Sequence, residues 1–151
     1  MITGGEPALV TRQLVSLAQQ AVEAGWRVEI ETSGTVALGG LEEYLDVITV
    51  SPKLSHSGMP EARRIVPGVL RHLARQEASV WKFVVESGAD FDEIDRLVGD
   101  YNLKNIFVMP QASSSDELTS GLRSIAPFAI ARGYTLTTRL QIELWSGERG
   151  R

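Results

Sequence analysis

The chain alternates between short apolar segments and longer amphipathic ones, and this alternation constrains its fold more than any other feature. The apolar segments have the length of buried strands, and each runs into a polar loop. Strand, helix, strand in repeated succession is typical of a parallel sheet covered by helices. We therefore expect an α/β fold in one domain, residues 1–151. The predicted strands are residues 26–31, 47–50, 80–85, 106–109 and 135–140, and the predicted helices are residues 11–24, 61–74, 91–101 and 116–133.

The predicted strands are too few to close an eight-stranded barrel, so a partial barrel and an open sheet are the two possibilities. In either arrangement the loops after parallel strands emerge at one edge of the sheet, where a ligand would bind. Segment 54–68, with Gly58, Pro60 and Pro67, is predicted to be the most mobile of the loops.

Composition excludes several functional classes. No apolar run reaches the roughly 20 residues of a membrane span, and nothing at the N-terminus resembles a signal peptide, so we expect a cytoplasmic protein without a membrane partner. The chain has no cysteine, and its two histidines, His56 and His72, are too few for a zinc centre. A net charge of -4 argues against a nucleic-acid surface and favours a small-molecule substrate.

A glycine-rich TGGEP turn (residues 3–7) has only Met1 and Ile2 in front of it. Paired glycines let the backbone approach a ligand closely, and Pro7 favours the start of the following helix. A plain strand-to-helix turn is the alternative interpretation. Because a buried strand needs about five or six residues, we expect the chain to be the later part of something larger.

Charged side chains within the predicted strands are further candidates for a site. Glu29 and Glu31 share one side of their strand with Arg27, so a charge ladder is favoured over an acid/base pair of carboxylates. Lys82 lies in an apolar strand, where a buried ammonium needs a partner. A salt bridge with a strand-end carboxylate and a contact with a ligand are equal alternatives for Lys82.

The histidines and tryptophans have plainer interpretations. His56 lies close enough to the strand at residues 47–50 to reach a site at its end, but a loop histidine with no specific role is the usual alternative. His72 is expected on a solvated helix surface. The three tryptophans are expected in the core or in a pocket wall, and they are Trp26, Trp81 and Trp145.

Several further motifs follow the TGGEP turn in a fixed order. They are ETSGT (residues 31–35), SPK (residues 51–53), WKFVV (residues 81–85), VMPQ (residues 108–111) and the ending RLQIELW (residues 139–145) with Glu148-Arg149-Gly150. In this set the chain resembles radical S-adenosylmethionine enzymes, and more closely the 7-carboxy-7-deazaguanine synthase family. The resemblance implies a partial parallel (β/α) barrel that lacks its first strand and helix.

The resemblance also assigns site residues by position. Ser51 and Lys53 suit such a role because a hydroxyl and an ammonium both bind carboxylate or ribose oxygens, although a solvent-facing lysine is the alternative for Lys53. The pterin substrate would be contacted by Thr3 and Gln141. S-adenosylmethionine would be bound by Gly4, Gly5, Glu6, Ser51, Pro52, Lys53, Met109, Pro110 and Gln111.

The activity that the resemblance implies is a radical ring contraction of 6-carboxy-5,6,7,8-tetrahydropterin to 7-carboxy-7-deazaguanine, on the route to queuosine. It also implies a 4Fe-4S cluster, Mg²⁺, an electron donor such as flavodoxin or ferredoxin, and a homodimer or a second chain. The alternatives are another radical S-adenosylmethionine enzyme, such as an activating enzyme, and a non-catalytic, cluster-free subunit or remnant.

Two departures from the family pattern limit these expectations. The CxxxCxxC loop that holds the cluster is absent, so the isolated chain is expected to be inactive unless another chain carries that N-terminal part. Gln141 stands where many relatives have histidine, and glutamine brings no positive charge to a substrate carboxylate. The chain also continues beyond Trp145 to Arg151, whereas some relatives close the substrate pocket with their terminal carboxylate.

Overall fold

A five-stranded parallel sheet in the order β1-β2-β3-β4-β5 forms the centre of the fold. This computed structural model describes residues 1–145. Ile2 extends the sheet beyond β1 through a parallel bridge to Ile30. Among the described residues no pairing joins β1 to β5, so the sheet is unclosed and the predicted α/β fold with a partial parallel barrel is confirmed. The strands are β1 (Glu29–Thr32), β2 (Val47–Val50), β3 (Ser79–Val85), β4 (Ile106–Pro110) and β5 (Thr135–Leu136).

Helices connect β2 to β3, β3 to β4 and β4 to β5, as the amphipathic segments predict, whereas only a short 3₁₀ turn lies between β1 and β2. The longest helix, α5, begins after Ser114, whose side chain accepts a hydrogen bond from the backbone of Glu117, and ends at Gly133 in the left-handed conformation. The helices are α1 (Thr11–Glu23), α2 (Glu61–Arg64), α3 (Pro67–Leu73), α4 (Asp90–Tyr101), α5 (Ser115–Arg132) and α6 (Leu140–Trp145), and short 3₁₀ turns cover Pro7–Val10, Leu41–Tyr44 and Ser55–Ser57.

Three predicted elements differ from the structure. The strand predicted over residues 26–31 begins only at Glu29. The helix predicted over residues 61–74 is split into α2 and α3, because Pro67 has no backbone N–H and keeps Val66 extended. The strand predicted over residues 135–140 is shorter, since only Thr135–Leu136 pairs with β4. A helix, α6, then begins at Leu140.

The two faces of the sheet have different surroundings. Along β3, Trp81 and Phe83 point into an apolar core that also contains side chains of α1, α3, α4 and α5. Lys82 and Val84 alternate with them and lie on the opposite, partly exposed face. The helices therefore cover one face of the sheet and leave the other available for a ligand.

The tryptophan prediction holds for only one of the three residues. Trp81 is 1% exposed and lies in the core. Trp26 is 71% exposed because it lies in the connection after α1, before β1 begins at Glu29, and Trp145 is 41% exposed at the end of α6. The prediction was wrong for these two, since Trp26 lies outside any helix or strand and Trp145 is the last residue of the short helix α6.

We expect Gly121→Ala to destabilise the fold by about 1–2 kcal/mol in urea denaturation. A methyl group on Gly121 of α5 would lie 2.6 Å from Cβ of Pro110, so the helix would have to move off β4. Gly99→Ala in α4 is the matched control, because nothing lies within 4 Å of the added methyl. Alanine favours helix there, so this control should gain up to about 1 kcal/mol. Equal stabilisation by both changes would contradict the packing argument.

Candidate ligand-binding site

A cavity of about 960 Å³ lies over the partly exposed face of the sheet, at the ends of the strands. The sheet supplies its floor with Glu31, Lys82 and Val84, and the loops after the strands supply its walls. The residues that line it are Glu31, Ser51, Lys53, His56, Ser57, Lys82, Val84, Glu86, Met109, Gln111, Ala112, Ser113, Glu117, Arg139 and Gln141.

The cavity brings together several of the residues that the sequence assigns to a site. They come from the ends of β2 and β4 and from α6, and they are Ser51, Lys53, Met109, Gln111 and Gln141. Their roles toward a ligand stay predictions, but their convergence on one cavity does not depend on those roles. The other predicted residues do not line it, and they are Thr3, Gly4, Gly5, Glu6, Pro52 and Pro110.

Pro52 and Pro110 are buried packing residues at two strand ends. The ring of Pro110 lies against the position of Gly121 in α5, which explains why a β-carbon has no room there. Their neighbours in the same motifs, Lys53 and Gln111, are exposed and line the cavity. Each motif therefore contributes a proline to packing and the two residues that flank this proline to the cavity wall.

The TGGEP turn lies at the same edge of the sheet, beside the end of β1, because Ile2 pairs in parallel with Ile30. Thr3, Gly4 and Gly5 are exposed. A β-carbon added to either glycine would meet no protein atom within 4 Å. Packing within the described chain therefore does not require glycine at position 5, and the space beside the turn is open to a ligand.

Glu6 joins this turn to the loop after β1. One of its carboxylate oxygens accepts hydrogen bonds from the backbone of Ala8 at 3.1 Å and the hydroxyl of Thr32 at 2.7 Å. The other accepts from the backbone of Ser33 at 2.8 Å and from the Ser33 hydroxyl. These four bonds use the main acceptor positions of a carboxylate, so Glu6 acts within the protein and has little capacity left for a ligand.

The environment of Glu6 favours its ionised form. Burial raises the pKa of this carboxyl, but the hydrogen bonds from Ser33, Thr32 and Ala8 together outweigh burial and hold the pKa below its ordinary value of 4.5. The ionised carboxylate of Glu6 therefore joins the TGGEP turn to the loop after β1.

An ion pair crosses the floor of the cavity. The ammonium of Lys82 on β3 binds the carboxylate of Glu31 on β1, and the two side chains are 27% and 32% exposed. The salt-bridge alternative for Lys82 is thus confirmed, and the pair also faces the cavity. Arg27 binds Glu29 separately at 3.0 Å, so each of the two glutamates is paired with its own cation and they do not form a carboxylate pair.

A buried arginine, Arg64, fixes the loop that carries Lys53. It is 4% exposed, and it donates to the backbone oxygens of Lys53 at 3.1 Å and Met59 at 3.2 Å. It also pairs with Glu93 of α4, whose other oxygen accepts from the backbone of Ser55 at 2.8 Å. Burial raises the pKa of Glu93, but the bonds from Ser55 and Arg64 outweigh it and lower the pKa below 4.5.

The first half of segment 54–68 is therefore held against α4, although the sequence predicts a mobile loop there. Neighbouring residues in sequence give no sign that Arg64 is buried, because its charge partner, Glu93, lies in a distant helix. Arg139 was also missed as a site residue. It lines the cavity and donates to the backbone oxygen of Ala112 at 2.9 Å.

The two histidines have different surroundings. His56 lines the cavity, and its Nδ1 lies 3.1 Å from the buried carboxylate of Asp90. His72 is 49% exposed on the helix surface, as predicted, where its Nε2 lies 2.7 Å from Glu42. The sequence identified His56 as able to reach the site but gave no indication of its pairing with Asp90, 34 positions away.

The residues present do not fit the metal groups that the resemblance implies. The chain has no cysteine for a 4Fe-4S cluster, and no group of three or more metal-ligating side chains occurs within residues 1–145. No described helix is both long and apolar enough to cross a membrane. The predictions for Glu148-Arg149-Gly150 and for the continuation to Arg151 lie outside the described residues.

Comparison with known proteins identifies relatives that share one name. A 7-carboxy-7-deazaguanine synthase of Rhodopirellula baltica is 35% identical over 99% of the chain and 62% of its own length. One of Pyrobaculum aerophilum is 34% identical over 100% of the chain and 67% of its own length, and one of Halobacterium salinarum is 29% identical over 97% and 64%. The chain thus spans 62% to 67% of the length of these relatives.

Among solved structures, the chain is similar to Streptococcus suis SuiB bound to S-adenosylmethionine, with a TM-score of 0.58 and 14% identity. The match covers 91% of this chain and 38% of the other, and it supports the radical S-adenosylmethionine type of fold. No family model matches the chain.

We expect Glu6→Gln to destabilise the protein by about 1–3 kcal/mol at pH 7, because a charged acceptor of several hydrogen bonds is lost. In the original chain this contribution is complete above pH 4.5 and disappears as the pH falls through the lowered pKa of Glu6. The difference in unfolding free energy between the two proteins should therefore shrink in acid. Urea denaturation at several pH values measures it, with exposed Glu43→Gln as the control. A difference that does not vary with pH would contradict the assignment.

Proposed function

The chain belongs to the 7-carboxy-7-deazaguanine synthase family, and we propose that it forms the part of such an enzyme that binds S-adenosylmethionine and the pterin substrate. One observation carries the proposal. Polar side chains from the ends of two strands, together with Gln141 of α6, converge on a single cavity. The chain spans only part of its relatives, so the complete reaction belongs to the proposal as well.

The proposed reaction is the ring contraction of 6-carboxy-5,6,7,8-tetrahydropterin to 7-carboxy-7-deazaguanine with loss of ammonia, on the route to queuosine. When bound, S-adenosylmethionine would supply the radical chemistry of this reaction, and the residues that would hold the 4Fe-4S cluster are not side chains of this chain. The residues of this chain contribute binding and orientation, which can account for a large share of a rate enhancement.

The cavity residues suit a nucleoside with a charged amino-acid end. Lys53 is exposed and has no ion-pair partner among the described residues, so its ammonium is free to bind a carboxylate or ribose oxygen. Ser51 and Gln111 add hydrogen-bonding groups, while Val84 and Met109 provide apolar surface for a base. The exposed glycines of the TGGEP turn leave space for a ligand to approach the backbone.

The substrate end of the cavity is proposed to lie at Gln141, after β5. Thr3, the other predicted substrate residue, lies beside β1, at the opposite end of the strand order, and does not line the cavity. Gln141 is neutral, but Arg139 stands two positions before it and also lines the cavity. One guanidinium nitrogen of Arg139 donates to the backbone of Ala112, and the remaining donors are available for a carboxylate. Arg139 can therefore provide the positive charge that Gln141 lacks.

The cluster and Mg²⁺ cannot be assigned to side chains of this chain, because it has no cysteine and its described residues offer no acidic or histidine cluster. We propose that their ligands come from a longer polypeptide or from a second chain. We further propose that a flavodoxin or ferredoxin delivers the electron, that the chain acts in a homodimer or with a second chain, and that it is located in the cytoplasm.

The absence of cysteine also supports a second candidate, a cluster-free binding subunit of the same fold. Both candidates require the cavity to bind a nucleoside, and they differ in whether the chain supports turnover once cluster ligands are supplied. Two experiments separate these questions.

We expect the chain to bind S-adenosylhomocysteine weakly, since it offers no cluster ligands. In an NMR titration, amide shifts should concentrate at residues 51–53 and 109–111. Lys53→Met should weaken binding about tenfold, the effect of losing one charge-assisted hydrogen bond. Lys104→Met is the matched control because Lys104 is exposed and does not line this cavity. Equal affinities for the original chain and Lys53→Met would contradict the proposed cofactor site.

A chimera tests turnover. In it this chain replaces the matching segment of the Pyrobaculum aerophilum relative, and iron, sulfide, S-adenosylmethionine and dithionite as electron donor are supplied anaerobically. We expect it to convert 6-carboxy-5,6,7,8-tetrahydropterin to 7-carboxy-7-deazaguanine, and we expect Lys53→Met to lower its kcat/KM about tenfold. A folded chimera that contains its cluster and binds S-adenosylmethionine without forming this product would favour the binding subunit.

A further inference from the structure

His56 is a cavity residue to which the family resemblance gives no role. It lies three positions after Lys53, in the same loop. Only 16% of its side chain is exposed, whereas histidines in loops are commonly solvent-exposed. A histidine held this firmly at a cavity wall differs from an incidental surface residue, which would be free to turn.

Asp90 determines how His56 is oriented. Asp90 is 7% exposed at the first position of α4, and one of its oxygens accepts from the backbone of Glu86 at 2.7 Å and of Ser87 at 3.1 Å. Its other oxygen lies 3.1 Å from Nδ1 of His56. An ionised carboxylate only accepts hydrogen bonds, so His56 must donate its Nδ1 proton to Asp90.

This donation fixes the other ring nitrogen as an acceptor. In the neutral imidazole, a proton on Nδ1 leaves Nε2 with a free lone pair. Within residues 1–145, Nε2 makes no hydrogen bond, while the ring lines the cavity. The Asp90–His56 pair therefore offers an acceptor of defined orientation to a ligand.

The loop that carries His56 is rigid enough to keep this acceptor in place. Glu93 binds the backbone of Ser55 directly, and Arg64 ties Lys53 to the same glutamate. Ser57 closes the turn by donating its hydroxyl to the backbone oxygen of Leu54 at 2.7 Å. Lys53 and His56 are thus presented together, one as a donor and the other as an acceptor.

We propose that His56 is a ligand-binding residue, positioned by Asp90, whose Nε2 accepts a hydrogen bond from the nucleoside that occupies the cavity. The donor is a ribose hydroxyl or the amino group of the base, which are the hydrogen-bond donors of an adenine nucleoside. This inference rests on the proposed function, because it takes an adenine nucleoside as the occupant. In the alternative, the pair only attaches the loop to α4.

His56→Asn separates the two roles. Asparagine keeps a polar atom near the position of Nδ1 for Asp90 but has none at the position of Nε2. We expect unchanged thermal unfolding and about fivefold weaker binding of S-adenosylhomocysteine, the effect of one neutral hydrogen bond. His72→Asn is the matched control, because His72 lies outside the cavity.

Nucleoside analogues identify the donor. Adenosine, 2′,3′-dideoxyadenosine and purine riboside differ only in the sugar hydroxyls or the amino group. The original chain should prefer adenosine to the analogue that lacks the donor to His56, and His56→Asn should lose that preference. Retention of both preferences by His56→Asn would overturn the proposal.

Asp90→Asn tests the positioning role by a spectroscopic readout. The amide oxygen can still accept from Glu86 and Ser87, but the amide nitrogen then faces Nδ1 as a donor. The neutral ring should move its proton to Nε2, which ¹⁵N NMR of the imidazole detects, and binding should weaken as in His56→Asn. If His56→Asn does not fold, Asp90→Asn tests the proposal in its place. An Asp90→Asn protein that carries the Nε2–H tautomer and binds S-adenosylhomocysteine with unchanged affinity would overturn the proposal.

The parallel measurement on Lys53→Met distinguishes two kinds of failure. Weaker binding by Lys53→Met with unchanged binding by His56→Asn would overturn the role of His56 and leave the proposed function intact. No binding by the original chain, or no effect of either substitution, would overturn both.

Discussion

Burial of alternate side chains along β1, β2 and β3 is the constraint on which the rest of this structure depends. Trp81 and Phe83 of β3 are 1% and 0% exposed beneath the helices, and burial of a large apolar side chain contributes about 1.5–3 kcal/mol. A shift of one residue would place Lys82 in that core. The apolar face therefore determines which side chains the other face presents, and the Lys82–Glu31 pair lies in the cavity for that reason.

The loops that follow the strands are held by hydrogen bonds to carboxylates. After each of the first four strands, a serine backbone N–H donates to a carboxylate, with N–O distances of 2.8 to 3.1 Å. The pairs are Ser33 with Glu6, Ser55 with Glu93, Ser87 with Asp90, and Ser113 with Glu117. Hydrogen bonds to charged acceptors are stronger than neutral ones, and they give these irregular segments fixed positions where no ladder pairing is available.

Sequence patterns predicted the features that depend on local periodicity, namely the strands and the helices. The strand and helix alternation indicated the sheet and its ligand edge, and the motif order indicated the residues that line the cavity, such as Ser51 and Gln111. Contacts between distant segments were not predictable in this way. Arg64 is buried because Glu93 and the backbone of Lys53 surround it, and His56 is fixed by a residue 34 positions away. Pro67 was visible in the sequence, but the helical period around it concealed the break between α2 and α3.

The division between an apolar core and carboxylate-held loops has a consequence for how this protein can change over evolutionary time. Core substitutions act on the whole fold at once, because they alter packing that every strand shares. A substitution at one loop carboxylate acts on a single segment of the cavity wall and leaves the shared packing intact. Substitutions at the loop carboxylates can therefore change one segment of the ligand edge at a time without requiring the core to repack.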